Sequence, residues 1–124
     1  MSTPQEQLRA RTKEFALSVI RLTRKLPNNP EGWVLGKQLL RSGTSVAANY
    51  RTAGRARSRA EFVARIGVVV EEADETVFGL EMLELVGLLH SALLHPLLTE
   101  ANELLRIFSA SFQTASAKAH ATNG

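Results

Sequence analysis

Basic side chains concentrate in the first half of the sequence, and their types and spacing offer anion binding rather than catalysis. Four arginines surround a predicted turn near Ala56, and three more cations follow the start of the chain. An antiparallel bundle would bring both groups to one end. Such groups can neutralise the phosphates of RNA or DNA and release their counterions. The predicted nucleic-acid-binding residues are Arg9, Arg11, Lys13, Arg51, Arg55, Arg57 and Arg59.

The charge is unevenly distributed along the 124 residues. Residues 1–65 carry a net charge of +9, from 13 Lys and Arg against four acids, and residues 66–124 carry −6, from two against eight. This asymmetry is typical of proteins that bind an anionic partner, and also of subunits that pair through oppositely charged faces. The charge distribution is compatible with both explanations. No aromatic residue interleaves the arginines to stack bases, so a solvated face or a docking surface for another subunit also fits.

Acidic side chains form a second group in the predicted third helix. In an antiparallel hairpin that turns near Ala56, Arg41 comes level with Glu71, and Glu72 and Glu75 lie within about one helical turn of that height. We therefore predict an Arg–carboxylate ion pair, within one subunit or between two. Nothing beside these carboxylates indicates a substrate site.

The sequence contains no recognisable catalytic, metal or cofactor motif. His90, His95 and His120 have no carboxylate three residues earlier, so the Glu-x-x-His motifs of di-iron bundles are missing. Without cysteine there is no disulfide or thiolate ligand. A Gly-rich phosphate loop and a nucleophile elbow are also missing. The sequence predicts a protein with no enzymatic activity, no metal and no other cofactor.

Hydrophobic periodicity and capping residues predict four helices. Thr3-Pro4, Asn29-Pro30 and Ser58 have the residue types that begin helices. A turn is predicted over residues 88–95, between Gly87 and Pro96. The predicted helices span residues 4–26, 30–53, 59–88 and 96–117 of a single domain, residues 1–124.

Short connections between long helices favour antiparallel neighbours, so the predicted fold is all-α, an up-down-up-down four-helix bundle. Two helical hairpins that complete their cores only in a dimer would show the same pattern. Residues 42–49, in the middle of the second helix, are small or short and polar. They favour close helix packing, with a subunit interface or a ligand-facing groove as the alternatives.

The chain shows neither a secretory signal nor a long apolar run. Its N-terminus is polar, and the most apolar region, residues 83–98, is interrupted well short of the ~20 residues of a membrane helix. We therefore expect a soluble, cytoplasmic protein with no membrane partner.

Four segments of the sequence carry a resemblance to a known family. They are residues 38–50 (QLLRSGTSVAANY), 56–62 (ARSRAEF), 71–76 (EEADET) and 103–111 (ELLRIFSAS). In these segments the chain resembles the four-helix-bundle proteins first noticed as products of intervening sequences in bacterial 23S ribosomal RNA genes. The resemblance implies an antiparallel bundle that assembles into a ring-like homopentamer, with no assigned enzymatic activity. A similar protein, the accessory variability determinant of diversity-generating retroelements, binds nucleic acid.

The resemblance also implies structural roles for particular residues. Relatives often carry a large aromatic residue at the position of Gly79. Glycine at this position implies that the third helix makes less side-chain contact there than in those relatives. The resemblance implies that residues at the family's motif positions maintain the architecture and do not perform chemistry. Together with Glu71 they form the predicted structural or interface set. This set is Arg41, Asn49, Glu61, Phe62, Glu71, Glu72 and Glu75.

Two functions follow from these observations. The first is a homo-oligomeric helical scaffold that binds RNA or DNA without sequence-specific readout. The second is a structural or protein-interaction module whose opposite charges serve self-assembly or a protein partner.

Overall fold

Four helices make up the described part of the chain in the computed structural model, which covers residues 1–123, with side chains as far as His120. The helices are α1 (Pro4–Thr23), α2 (Pro30–Ala53), α3 (Arg59–Val86) and α4 (Ser91–Asn123). Residues 1–123 contain no strand. The predicted all-α class is confirmed.

Side-chain contacts show the order and direction of the helices. Paired residues are Val19 of α1 with Gly43 and Leu26, just after α1, with Gly36 (α1 and α2); Ser42 with Thr76 and Asn49 with Arg65 (α2 and α3); and Gly67 with Phe112 and Glu84 with His95 (α3 and α4). In each helix pair one residue number falls as the other rises, so the neighbours are antiparallel. Within the described residues the backbones of α1 and α3 do not approach each other closely, nor do those of α2 and α4, so these pairs are the diagonals of the bundle.

The hydrophobic core lies between all four helices of one chain. Each helix contributes side chains that are fully or almost fully buried, among them Val19, Leu39, Leu80 and Phe108. The fold is therefore an up-down-up-down bundle within a single chain. The alternative of hairpins that complete their cores only in a dimer is wrong.

Three helices begin where their capping residues predict. The Thr3 hydroxyl accepts the Glu6 N–H at 3.1 Å, and the Asn29 side-chain oxygen accepts the Gly32 N–H at 2.8 Å. At the start of α3 the Ser58 hydroxyl accepts the N–H three residues later, at 3.1 Å. Each cap satisfies an N–H that has no partner within the helix, which is worth about 1 kcal/mol.

The predicted ends of two helices are slightly too late. Helix α1 ends at Thr23 rather than residue 26, because the N–H groups of Lys25 and Leu26 bond to carbonyls three residues earlier and tighten the chain before Pro27. Helix α3 ends at Val86 rather than residue 88. Gly87 follows it with a φ of 79°, and the N–H groups of Gly87 and the next residue bond back to the Leu83 carbonyl. A left-handed residue of this kind terminates helices, and glycine adopts it without strain.

The predicted start and end of the fourth helix are wrong. Helix α4 begins at Ser91, five residues before the predicted start at Pro96, and continues to Asn123 instead of 117. Pro96 is accommodated inside the helix, where only the hydrogen bond to the Ala92 carbonyl is lost. Helical geometry from Ser91 buries Leu94 completely, and this burial offsets part of the cost of the proline. Gly124 lies outside the described residues.

The small residues of α2 allow close helix contacts, as predicted. A Cβ atom on Gly43 would lie 2.9 Å from both methyl groups of Val19 on α1. Gly79 on α3 faces α2 in the same way, and a Cβ there would lie 2.8 Å from the Leu39 Cδ2 atom. Leu39 is fully buried and fills the space beside Gly79. The contact expected to be thin is therefore tightly packed.

A buried pair of hydroxyl groups joins α2 to α3. The Ser42 and Thr76 oxygens lie 2.9 Å apart, and the Thr76 hydroxyl donates to the Glu72 carbonyl at 2.8 Å. Because a hydroxyl has a single proton, Ser42 is the donor to Thr76. Both polar side chains are thus satisfied inside the core.

Gly43→Ala tests the close approach of α1 and α2. Alanine favours a helix over glycine by about 1 kcal/mol, but overpacking against Val19 costs about 1–3 kcal/mol. We expect the free energy of unfolding to fall by about 1 kcal/mol in a denaturant titration.

The control is Gly54→Ala, because Gly54 has a φ of −64° and a Cβ there meets only ordinary contacts. We expect this control to leave stability unchanged or to raise it. Equal stability of the two variants would contradict the proposed packing.

Candidate nucleic-acid interface

Four exposed cations surround a groove between α1 and α2. Arg9 and Lys13 come from the first half of α1, and Arg51 and Arg55 come from the end of α2 and the turn after it. The groove has a volume of about 560 Å³. We call these four residues and the space between them the basic groove.

The antiparallel packing of α1 on α2 positions these cations. Arg9 and Lys13 are four residues apart on α1, so they extend from one side of that helix. Arg51, in the last turn of α2, and Arg55, in the turn after it, line the other side of the groove. Among the described residues, none of the four makes an ion pair. Their charges are therefore available to an anion.

Small side chains form the floor of the basic groove. Ala10, Thr44, Ala47 and Ala48 line it between the cations. The Thr44 hydroxyl donates to the carbonyl four residues earlier in its own helix, at 2.6 Å. A floor of this kind allows the close approach of a polyanion. Of the two alternatives for the small-residue segment, a ligand-facing groove is therefore favoured on this side of α2, while Gly43 packs on α1.

Arg11 lies outside the basic groove, although the sequence groups it with Arg9 and Lys13. Its guanidinium contacts Glu100 on α4 through two hydrogen bonds of 2.7 and 2.8 Å, and lies 3.0 Å from Glu103. These carboxylates raise the pKa of Arg11 above its ordinary value, mainly through the hydrogen bonds. Arg9 and Arg11 are about 200° apart around α1, so they extend from opposite sides of the helix. Counting helical phase could have predicted this separation.

The two remaining predicted cations also lie beside the groove rather than in it. Arg57 donates its backbone N–H to a Glu61 carboxylate oxygen at 3.3 Å, within the α2–α3 turn. Arg59 lines a different groove, between α3 and α4, together with Phe62 and Lys118. The structure thus brings together four of the seven predicted cations.

Tyr50 lies beneath the basic end of the bundle. Its ring centre is 5.1 Å from that of Phe108, and Gln5, Arg9 and Phe62 surround the small cavity beside it. Burial raises the pKa of Tyr50, and the positive charge of Arg9 opposes this effect.

The predicted ion pair of Arg41 is present within one chain. Its Nη1 atom donates to both Glu72 oxygens at 3.2 Å, and its Nη2 atom donates to Glu75. Asn49 donates to the carbonyl four residues earlier at 2.9 Å. Glu71 is exposed, one turn before Glu75 on α3. The Arg41 contacts join α2 to α3, and a role in a subunit interface stays a prediction.

Other kinds of site find little support in the described residues. His95 Nε2 lies 3.0 Å from a Glu84 oxygen, in a pair that links α4 to α3. Residues 1–120 contain no group of three or more His, Cys, Asp or Glu able to hold a metal ion. None of the described helices is both long enough and apolar enough to cross a membrane.

Comparison with known proteins identifies the family. The family of 23S rRNA-intervening sequence proteins matches residues 6–110. This range covers α1 from its third residue, all of α2 and α3, and α4 as far as residue 110. The chain belongs to this family. The resemblance in the sequence is therefore confirmed, and the family match extends it almost from the start of α1. No curated protein matches the sequence.

A solved structure shares the family fold. It is the crystal structure of a protein with unknown function from the S23 ribosomal protein family, from Bacteroides thetaiotaomicron VPI-5482. The two sequences are 31% identical, and the match covers 84% of this chain and 96% of the other. The TM-score is 0.78, so the bundle is common to both proteins.

Tyr50→Phe tests the burial of the phenol at the basic end. Because the folded pKa of Tyr50 is raised, the unfolded chain loses this proton first, near pH 10.0. The contribution of Tyr50 to the free energy of unfolding is therefore complete below that pH, and it decreases as the pH rises through the pKa of the folded state. We expect unfolding experiments above about pH 10 to show a loss of stability that is smaller in Tyr50→Phe.

Tyr50 is the only tyrosine, so phenolate absorbance reports this group alone. An ordinary pKa in the folded protein, or the same alkaline loss of stability in both proteins, would refute the assignment.

Proposed function

We propose that the protein is a non-enzymatic, homo-oligomeric bundle that binds RNA or DNA non-specifically through the basic groove. The observation that carries the proposal is the set of four exposed cations, without ion-pair partners among the described residues, around a floor of small side chains. Phosphate is the ligand group that such an arrangement suits, since each contacted phosphate releases condensed counterions.

Two of the nearby acids interact elsewhere and do not pair with the cations of the basic groove. Glu14, one residue after Lys13, lies 3.3 Å from Arg21 instead. Glu61 accepts a backbone N–H at the α2–α3 turn. Arg11 is neutralised by α4 and does not add to the groove. The four remaining cations therefore supply a local positive potential that attracts a polyanion.

The groove suits contacts with phosphates rather than with bases. Among the described residues, no aromatic side chain lines it. The ring of Tyr50, nearby, is buried against Phe108 and cannot stack on a base. Binding through phosphates carries no sequence information, so affinity depends on salt concentration and little on sequence.

Self-assembly would strengthen this binding. The family resemblance implies a ring-like homopentamer, and each copy would present its own basic groove. Several linked grooves on one polyanion raise the effective affinity without any new type of contact. The names of the family and of its solved relative mention 23S rRNA and a ribosomal protein, which makes RNA the first probe to use. A cytoplasmic location stays a prediction.

A structural or protein-interaction module is the second candidate. The observation that favours it is a set of large apolar side chains exposed to solvent, with Phe78 60% and Leu85 80% exposed. Exposed apolar surface of this kind marks interaction sites. It is compatible with nucleic-acid binding, because these residues lie on α3, outside the basic groove.

Arg51→Glu tests the proposed binding site. The change removes one phosphate contact and adds a repulsive charge, so we expect affinity for a mixed-sequence RNA duplex to fall about tenfold at low salt. Fluorescence anisotropy with labelled duplexes of two unrelated sequences measures this effect. The loss should be the same for both sequences.

Lys37→Glu is the matched control, because Lys37 is an exposed cation on the same helix. It lies 14 residues from Arg51, about 21 Å along α2, and makes the same change in net charge. We expect it to bind almost as well as the unmodified protein. Equal losses of RNA affinity in the two variants would show that binding depends on net charge and not on the basic groove. Absence of any binding at low salt would reject the proposal.

A further inference from the structure

A second groove opens at the same end of the bundle as the basic groove, between α3 and α4. Helix α3 begins at this end and α4 finishes there, because neighbouring helices are antiparallel. The groove has a volume of about 640 Å³, which lies within the range of small-molecule sites. Arg59 and Phe62 of α3 line it, together with Ser111, Thr114 and Lys118 of α4. We call this space the α3–α4 groove.

The α3–α4 groove combines an aromatic ring with two hydroxyl groups. Phe62 is half-buried, with part of its side chain against the core. In the described part of the chain the Ser111 and Thr114 hydroxyls make no hydrogen bond, whereas the Thr44 hydroxyl donates to its own helix. An aromatic ring packs against a base of any type, and a hydroxyl can donate to or accept from the polar edge of that base. This chemistry suits one unstacked nucleobase.

A small cavity connects the two grooves over the end of the bundle. Its lining includes Gln5 of α1, Gly54 after α2 and Phe62 of α3. Arg9 lines both this cavity and the basic groove, and Phe62 lines both this cavity and the α3–α4 groove. The three spaces therefore share walls and form one continuous track.

The track contains no carboxylate. Within residues 1–120, no Asp or Glu lines the basic groove, the small cavity or the α3–α4 groove. Other cavities of the bundle differ in this respect. Glu14 and Glu100 line the space between α1 and α4, and Glu75 lines a cavity between α2 and α3. A polyanion that follows the track therefore avoids repulsion by lining acids.

The position of the two grooves favours a flexible polyanion over a stiff one. The helices follow one another around the bundle in the order α1, α2, α3, α4, so the two grooves lie on opposite faces. A short duplex is stiff and keeps its bases stacked inside, so it can lie along the basic groove but cannot turn over the end of the bundle. A single strand bends and exposes its bases.

We propose that the basic groove and the α3–α4 groove form one continuous site for a single strand of RNA or DNA. Phosphates occupy the basic groove, the strand turns over the small cavity, and a base packs beside Phe62 in the α3–α4 groove. The inference rests on the proposed function and names the form of nucleic acid that the site binds. Contact with one base through an aromatic ring is tolerant of sequence, so binding stays non-specific.

Thr114→Glu tests the α3–α4 groove. Thr114 is exposed on α4, so the fold should be retained. A carboxylate there fills part of the groove and repels phosphates, so we expect affinity for a single-stranded RNA of about 12 nucleotides to fall about tenfold. Affinity for a duplex of the same length should be almost unchanged, because a duplex occupies the basic groove alone. Fluorescence anisotropy at low salt measures both affinities.

Gln113→Glu is the matched control. Gln113 is exposed, precedes Thr114 on the same helix and does not line the α3–α4 groove. The substitution makes the same change in net charge, and we expect both probes to bind this variant as tightly as the unmodified protein. Equal losses of single-strand affinity in the two variants would overturn the inference. So would a loss of duplex affinity in Thr114→Glu as large as the loss for the single strand.

Phe62→Leu tests the contact with a base. Leucine keeps apolar packing against the core but removes the aromatic ring, and circular dichroism checks that the fold is retained. We expect affinity for the single strand to fall about fivefold, and affinity for an abasic strand of the same length to stay the same. Equal losses for the two strands, or no loss for the strand with bases, would reject the base site.

The outcomes separate this inference from the proposed function. If Arg51→Glu weakens the binding of both probes and Thr114→Glu weakens neither, the basic groove binds nucleic acid and the continuous site is rejected. If Thr114→Glu weakens single-strand binding and Arg51→Glu does not, both the basic groove and the continuous site are rejected. Absence of any binding at low salt rejects both proposals.

Discussion

Gly43 lies so close to Val19 that the α1–α2 contact has no room for a Cβ atom without a shift. The rest of the bundle depends on this constraint, because it sets the separation and the register of α1 and α2. The same small-residue segment continues through Thr44 and Ala47, which face the groove instead of the core. The same run of small side chains in α2 thus allows close packing on α1 at Gly43 and leaves an open groove without aromatic lining residues beside it.

Antiparallel folding also decides which charges remain available. It brings the basic half of the chain against the acidic half, so that Arg11 meets Glu100 and Arg41 meets Glu72. These pairs are partly or largely exposed and contribute modestly to stability. Their larger effect is on charge distribution, because they remove paired cations and acids from the surface potential. The cations of the basic groove and the exposed acids of α3, such as Asp74 and Glu81, are left on separate surfaces.

The sequence predicts local features well and contacts between helices less well. Caps such as Thr3 could be predicted because the hydrogen bond involves only neighbouring residues. The start of α4 could not, since it depends on contacts with other helices, such as those that bury Leu94, which the local helix-breaking tendency of Pro96 does not reveal. In the same way, the lengths of the helices predict that Arg9 and Arg11 lie at the same end of the bundle. Whether Arg11 faces α4 depends instead on the rotation of α1 about its own axis.

Binding of RNA in the basic groove is tested by backbone amide shifts during a titration with a short RNA duplex. We expect the largest changes to cluster at the floor and rim of the basic groove, around Lys13, Thr44, Ala48 and Arg51. Changes should be similar for duplexes of unrelated sequence and should fade as salt is added. Changes confined to the groove near Lys118, or no changes at low salt, would contradict it.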